Sequence, residues 1–128
     1  MSLYNINPMQ MENANASLES DSSGISLFLK GDIDMRDTSI EFLPYLLRVH
    51  EAVIKNGIKN IRLDLTGLTF MNSNGIKSLI NWIMKAGEMP QNQRYTIHII
   101  ANSNIAWQES TLPVLRKLFP DFIVIDQV

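Results

Sequence analysis

The segment from Ile61 to Ile76 constrains the fold of this chain more than any other, because two hydrophobic periodicities meet in it. A buried strand over about 60–65 is indicated by alternating apolar residues, namely Ile61, Leu63 and Leu65. Gly67 is expected to end that strand at a short turn. A helix over about 73–86 is then predicted by apolar residues at helical spacing, namely Ile76, Leu79, Ile80 and Ile83.

Asn72 precedes this helix and has the side chain of a good N-cap, because its oxygen can accept a hydrogen bond from an early helix N–H. Ser73 is therefore predicted at the first helical position, at the tip of a strand-to-helix turn. A phosphate on Ser73 would meet free N–H groups and the positive end of the helix dipole, an interaction of ~0.3–1 kcal/mol when exposed. The same residues also fit a plain capped helix with no regulatory role.

The rest of the chain alternates strands and helices. Residues 14–30 read as a hairpin that turns at 21–24, and strands are predicted near 95–100 and 122–125. Residues 1–13 are expected to form a flexible lead, and 14–128 a single domain. The order β-β-α-β-α-β-α-β predicts an α/β fold with a mixed, mostly parallel sheet.

Two helix starts are less direct. The first helix is expected to begin near Leu43, so that Pro44 falls in the first turn, and a capping box of Thr38 with Glu41 is the alternative start. Asn56-Gly57 should end it, because glycine suits a left-handed C-cap. The last helix is expected to start at Thr111 and Pro113, after a short turn near residue 105.

Composition excludes several functions. The chain has 128 residues, 45% of them hydrophobic, and a net charge of −2, which gives no electrostatic reason to expect nucleic acid as a partner. No apolar run approaches the ~18 residues that span a bilayer, so no membrane association is expected. The absence of cysteine removes disulfides, thiolate nucleophiles and most zinc sites, and fits a cytoplasmic protein. We expect neither a metal ion nor a cofactor.

Catalytic readings find little support. Asp32 and Asp34 follow a strand as the paired carboxylates of haloacid-dehalogenase-type phosphatases do, but Arg36 stands where those enzymes carry Thr or Val. With Asp37 they form an acidic cluster that lacks the glycine and glutamate of a calcium loop, so a solvated acidic turn is expected. A triad of Ser73 with a histidine (His50 or His98) and Asp64 lacks a nucleophile elbow. The chain is not expected to be an enzyme.

Three segments carry a family resemblance: 29–34, with its Gly-Asp-Ile-Asp ending, 63–76, and 114–119. Together they resemble the STAS domain of the anti-sigma factor antagonist family, over about residues 14–126. The central motif of that family usually reads Asp-Ser-Ser-Gly or Asp-Ser-Thr-Gly, and here it reads Asn-Ser-Asn-Gly over 72–75.

The resemblance implies a bacterial, cytoplasmic module that regulates transcription through protein–protein contact. In antagonists of this family the motif serine accepts phosphate from an ATP-dependent serine kinase that is also the anti-sigma factor. The unphosphorylated antagonist binds that kinase, and a phosphatase resets it. By position the phosphoacceptor is Ser73, while the usual Asp is Asn72 and the second Ser or Thr is Asn74. A competing serine motif at 21–24 is explained by its hairpin turn.

The expected partner surface combines the 31–37 loop, the 71–75 turn and the exposed side of the following helix. Trp82 lies at the margin of that side, where a tryptophan fits either a contact anchor or partial packing under a neighbouring loop. The candidate contact residues are Asp34, Met35, Arg36, Met71, Asn72, Asn74, Gly75, Lys77, Ser78 and Trp82. Two other functions stay open: a scaffold that binds constitutively without phosphorylation, and a small-ligand or nucleotide sensor that uses the helix N-terminus at 72–75. The sequence does not define the oligomeric state.

Overall fold

The computed structural model describes residues 4–22 and 24–127; expectations for residues 1–3, 23 and 128 lie outside these ranges. In the described residues, one six-stranded sheet carries three helices. The elements are β1 (Met9–Gln10), β2 (Ala14–Asp21), β3 (Gly24–Ile33), α1 (Phe42–Lys55), β4 (Asn60–Met71), α2 (Ser73–Gly87), β5 (Thr96–Ala101), α3 (Ala106–Leu118) and β6 (Ile123–Gln127).

The strands lie in the sheet in the order in which they occur in the chain. β1, β2 and β3 pair antiparallel, whereas β3, β4, β5 and β6 pair parallel, so the predicted mixed, mostly parallel α/β fold is confirmed. Each parallel crossover moves to the next strand in the same direction, and right-handed crossovers then place all three helices on one face. The strand residues facing the helices are fully buried at the centre of the sheet, namely Leu27, Leu29, Ile61, Leu63, Ile97 and Ile99.

β4 is longer than predicted, because it continues through Gly67 to Met71. Its register with β3 slips twice, between Phe28 and Lys30 and between Gly31 and Asp32, and each slip adds one residue to β4. The buried positions of β4 accordingly change spacing from two to three, as the series Ile61, Leu63, Leu65, Leu68 and Met71 shows. Because two β-bulges interrupt the alternation, the second half of β4 does not show the two-residue pattern that predicts a strand.

α1 begins at Phe42, as expected from Pro44, whose missing N–H falls in the first turn. Glu41 occupies the N-cap position without a side-chain cap, so the alternative capping box is wrong. Asn56 and Gly57 end α1, and Gly57 has φ +64. α1 packs against α2.

Two expectations need correction. α3 begins at Ala106 rather than at Thr111, with Pro113 inside the helix on its exposed side, where the lost backbone hydrogen bond faces water. The described part of the expected flexible lead is packed: Ile6 and Met11 are 5% and 3% exposed, and β1 pairs with β2. None of the helices in the described ranges is both long enough and apolar enough to cross a membrane.

Candidate functional site

The carboxyl ends of β3 and β4 lie side by side, and α2 begins where β4 ends. Ile33 of β3 pairs with Met71 of β4, and the backbone N–H of Asn72 donates to the carbonyl oxygen of Ile33 at 2.9 Å. The chain that leaves β3 therefore runs past the first turn of α2. This meeting of the 34–38 loop and the start of α2 is the candidate site.

Asn72 caps α2 and also binds the loop. Its backbone is extended, and its Oδ1 accepts from the N–H of Gly75 at 2.8 Å, which confirms the predicted N-cap. Its Nδ2 donates to the carbonyl oxygen of Met35 at 2.9 Å. One side chain thus uses its acceptor for the helix and its donor for the loop, a combination that an aspartate cannot provide at neutral pH.

Asn74 and Thr38 complete the attachment of the loop. Asn74 donates from Nδ2 to the carbonyl oxygen of Arg36 at 2.7 Å. Thr38 donates from Oγ1 to the carbonyl oxygen of Asn74 at 2.9 Å, and its hydroxyl lies 2.6 Å from that of Ser78. Thr38 and Ser78 are both buried, so the loop is held from the interior as well as from the surface. We call these four side chains, Thr38, Asn72, Asn74 and Ser78, the loop clamp.

Ser73 is the first residue of α2 and is exposed. Lys77 follows one helical turn later on the same face, and it is exposed, as is Arg36 of the clamped loop. Both cations line a surface hollow of about 500 Å³ next to the start of α2, and the acidic Asp37 lines it as well. Ser73 itself lies at the N-terminus of α2, which favours negative charge, with Lys77 one turn away.

Part of the predicted contact set is exposed. Asp34, Arg36, Asn74 and Lys77 are exposed, whereas Met35 and Asn72 are half-buried. Asp34 also accepts from the side-chain amide of Asn13 at 3.2 Å. These residues lie along the clamped loop and the first two turns of α2.

Contrary to the prediction, four residues of the contact set are buried and cannot touch a partner: Met71, Gly75, Ser78 and Trp82. Trp82 is fully buried and donates from Nε1 to Tyr95 Oη at 2.9 Å, so it is not a surface anchor. A Cβ on Gly75 would lie 2.8 Å from Met71 Cγ. The helical periodicity predicted the buried Leu79 and Ile83 but not the adjoining buried side of α2, where Ser78 bonds to Thr38 and Trp82 to Tyr95.

Two apolar residues near the site were missed from the sequence. Phe70 is 46% exposed one residue before the buried Met71, and Ile40 is 71% exposed two residues beyond Thr38. The sequence contained a signal for Phe70: Leu68 and Met71 are apolar residues three apart, which indicates a bulged strand. In such a strand Phe70, next to the buried Met71, points to the opposite face.

The acidic residues of the loop do not converge. Asp32 accepts from the hydroxyl of Thr69, and Asp37 accepts from both the N–H and the hydroxyl of Ser39, at 2.9 and 2.5 Å. The two bonds from Ser39 lower the pKa of Asp37 below its ordinary value. Residues 4–22 and 24–127 hold no group of three His, Cys, Asp or Glu side chains placed to bind a metal ion.

The histidines and Asp64, which the hypothetical Ser-His-Asp triad would require, hydrogen-bond to other residues. His50 Nδ1 lies 2.8 Å from Tyr95 Oη, and His98 Nε2 lies 3.2 Å from Asn60 Oδ1. Asp64 accepts from the N–H and hydroxyl of Thr66 at 2.9 and 2.6 Å. These hydrogen bonds of the two histidines and Asp64 are therefore to partners other than Ser73.

The mixed sheet and the helices on one of its faces agree with the STAS-like fold that the sequence indicated. A solved structure described as an anti-sigma factor antagonist from Mycobacterium paratuberculosis is similar, with a TM-score of 0.58 and 20% sequence identity over 91% of this chain and 90% of that chain. No protein-family model matches the sequence, and none of the curated proteins does. The resemblance to the STAS fold is thereby confirmed at the level of the fold.

Proposed function

We propose that this protein is a non-enzymatic regulatory module that binds a protein partner through the clamped 34–38 loop and the first turn of α2. The observation that supports this most strongly is the loop clamp. Asn72 and Asn74 bind consecutive loop carbonyls, at 2.9 and 2.7 Å, and so fix the loop against the helix. A surface held in one conformation loses less entropy on binding than a mobile one. Phe70 and Ile40, which lie close to the loop and the turn in sequence, are exposed apolar side chains that a partner could contact.

The proposed partner is a serine kinase that acts as an anti-sigma factor, and Ser73 is the proposed phosphoacceptor. Phosphorylation would place about −2 charges at the start of α2, one turn from Lys77, and so remove the positive character of this surface. Because Ser73 is already exposed, its modification would change the contact surface without unfolding the domain. A phosphatase would restore binding. Partner binding that phosphorylation switches off would make this protein a bacterial, cytoplasmic regulator of transcription.

The two asparagines set a condition on the kinase. Asn72 needs its amide hydrogen for Met35, and Asn74 needs its own for Arg36, so both positions serve the loop clamp. Ser73 consequently lacks the neighbouring carboxylate that is usual in the family motif. The kinase that modifies this chain must therefore recognise a neutral Asn-Ser-Asn turn.

Affinity capture from native lysate tests the proposal, with wild type, Ser73→Asp and Ser22→Asp as baits and quantitative mass spectrometry as the readout. Ser22 is exposed in the β2–β3 turn, at the opposite end of the parallel strands, so Ser22→Asp controls for added charge. We expect wild type and Ser22→Asp to retain the same partner and Ser73→Asp to lose it. Equal capture by all three baits would refute the switch, and capture by none would refute the binding function.

A further inference from the structure

The sheet has an open edge along β6, which pairs only with β5 in the described residues. The N–H of Ile97 donates to the carbonyl oxygen of Phe122 at 2.8 Å, which sets the register of this parallel pair. In a parallel ladder alternate residues direct their backbone groups to opposite sides. Ile125 and Gln127 therefore direct their N–H and C=O groups outward, where a further strand would bind.

A groove of about 610 Å³ runs beside this edge, between β6 and the second half of α3. It is lined by Pro113, Arg116, Lys117, Pro120, Ile125 and Gln127, and no acidic residue is among them. Arg116 and Lys117 are exposed. Across residues 4–22 and 24–127 the one ion pair joins Asp21 to Arg62, so the two cations of the groove have no carboxylate partner there.

We infer that this groove binds an extended acidic segment of a partner protein, which adds to β6 as a seventh strand. The outward backbone groups of Ile125 and Gln127 supply main-chain hydrogen bonds, as in other cases of strand addition. Side chains of an added strand alternate between the two faces of the sheet. Every second side chain therefore points to the helix face, where carboxylates would meet Arg116 and Lys117.

A second copy of this chain fits the groove less well. An antiparallel pair of β6 strands centred on Ile125 would direct Ile123, Ile125 and Gln127 to the helix face, and none of them is acidic. Asp126 lies on the other face, because its neighbours in the strand pack toward the helices. Pairing two copies would also bring together two sets of basic residues, and like charges disfavour association.

This surface is separate from the proposed Ser73 site. The groove lies on the outer side of β6, whereas α2 starts at the carboxyl end of β4, two strands away. The lining of the groove shares no residue with the loop clamp. The protein would then contact an acidic segment and the partner of Ser73 at different places.

Fluorescence anisotropy tests the inference with a fluorescein-labelled peptide, Thr-Glu-Val-Glu-Val-Glu-Val-Thr, and a matched peptide in which lysine replaces each glutamate. We expect the acidic peptide to bind at least ~10-fold more tightly than the basic one. Arg116→Glu/Lys117→Glu should weaken its binding by a similar factor, while Arg48→Glu/Lys55→Glu, the same charge change on α1, should leave it nearly unchanged. Gln127→Pro should abolish binding, because it removes an outward N–H at an edge where proline is tolerated.

Amide chemical shifts of the wild-type protein locate the bound peptide. Shifts confined to β6 and residues 113–117 would support the inference, and shifts at residues 72–77 would place the peptide on the other surface and overturn it. Equal affinity for both peptides, unchanged binding by Gln127→Pro, or no binding of the acidic peptide would also overturn it. So would a dimer in sedimentation velocity that Gln127→Pro dissociates, since a second copy would then occupy the edge.

Discussion

The side-chain amide of Asn72 and the backbone carbonyl of Met35 are joined by a hydrogen bond of 2.9 Å between an N-cap and the loop beside it. The same side chain accepts from Gly75, so both ends of its amide are used. Asn72 is therefore not equivalent to the aspartate of the usual family motif. An aspartate would keep the cap but place a carboxylate oxygen against a carbonyl oxygen.

Asn72→Asp should destabilise the protein by about 1 kcal/mol, the typical value of a lost hydrogen bond, although aspartate is an equally good N-cap residue. Urea unfolding monitored by circular dichroism measures the change. Asn72→Ser is the matched control, because it retains an acceptor for the cap and also loses the donor to Met35, and it should show a similar loss. An Asn72→Asp variant as stable as wild type would contradict the role given to this bond.

Gly75→Ala should destabilise the protein by ~1–3 kcal/mol, as overpacking of a tight interior does. A Cβ at this position would lie 2.8 Å from Met71 Cγ and 2.9 Å from Ile33 Cγ2, which outweighs the gain of ~1 kcal/mol expected from helix propensity alone. Gly67→Ala is the control, because its Cβ would meet only the flexible side chain of Lys30, at 3.2 Å. Thermal unfolding of both variants decides the point: a stabilised Gly75→Ala would show that α2 is not pressed against β3 and β4.

Local sequence chemistry predicted part of this site, whereas contacts between distant segments could not be predicted from it. Asn72 as an N-cap and the start of α2 follow from local chemistry, and both were predicted correctly. The bulges of β4 depend on its pairing with β3, so the strand was expected to end before Gly67. Trp82 was placed at the margin of the apolar arc, with contact and packing both open, because periodicity describes one helix and not Tyr95, 13 residues away, to which Trp82 donates. The link from Thr38 to Ser78 spans 40 residues and has no local signal.

His50 should give the stability a dependence on pH. Burial, with the nearby charge of Lys85, lowers the pKa of His50 from its ordinary value of 6.5. Tyr95 Oη accepts from Trp82 at 2.9 Å and can donate its own hydrogen to Nδ1 of neutral His50, 2.8 Å away. Protonation would remove that acceptor.

The neutral form of His50 is thus favoured in the folded state. The contribution of His50 to the free energy of unfolding should be complete above pH 6.5, the pKa of an unfolded histidine. It should be lost as the pH falls from there through the lower pKa of His50 in the folded state. Urea unfolding at pH 7.5 and pH 5 measures the loss, with His50→Gln as the control, which should reduce the difference between the two pH values. A pH dependence that is unchanged in His50→Gln would assign it to other groups.

Phe70→Ala should weaken partner binding while changing stability by less than ~0.5 kcal/mol, as is usual for an exposed position. Phe70 is 46% exposed two residues before Asn72, and truncation of an apolar anchor commonly costs more than ~1 kcal/mol of binding energy. Val114→Ala is the matched control, because Val114 is 53% exposed on α3, away from the site. The affinity of each variant for the captured partner is measured by titration. Equal affinities of Phe70→Ala and Val114→Ala would exclude Phe70 from the interface.

The central claim, that Ser73 is the switch of a partner-binding surface, is tested most directly by phosphosite mass spectrometry on the protein purified from its native cells. We expect phosphate on Ser73, the exposed first residue of α2. Phosphate on Ser22 or Ser23 with Ser73 unmodified, or no phosphate at any serine, would contradict the account.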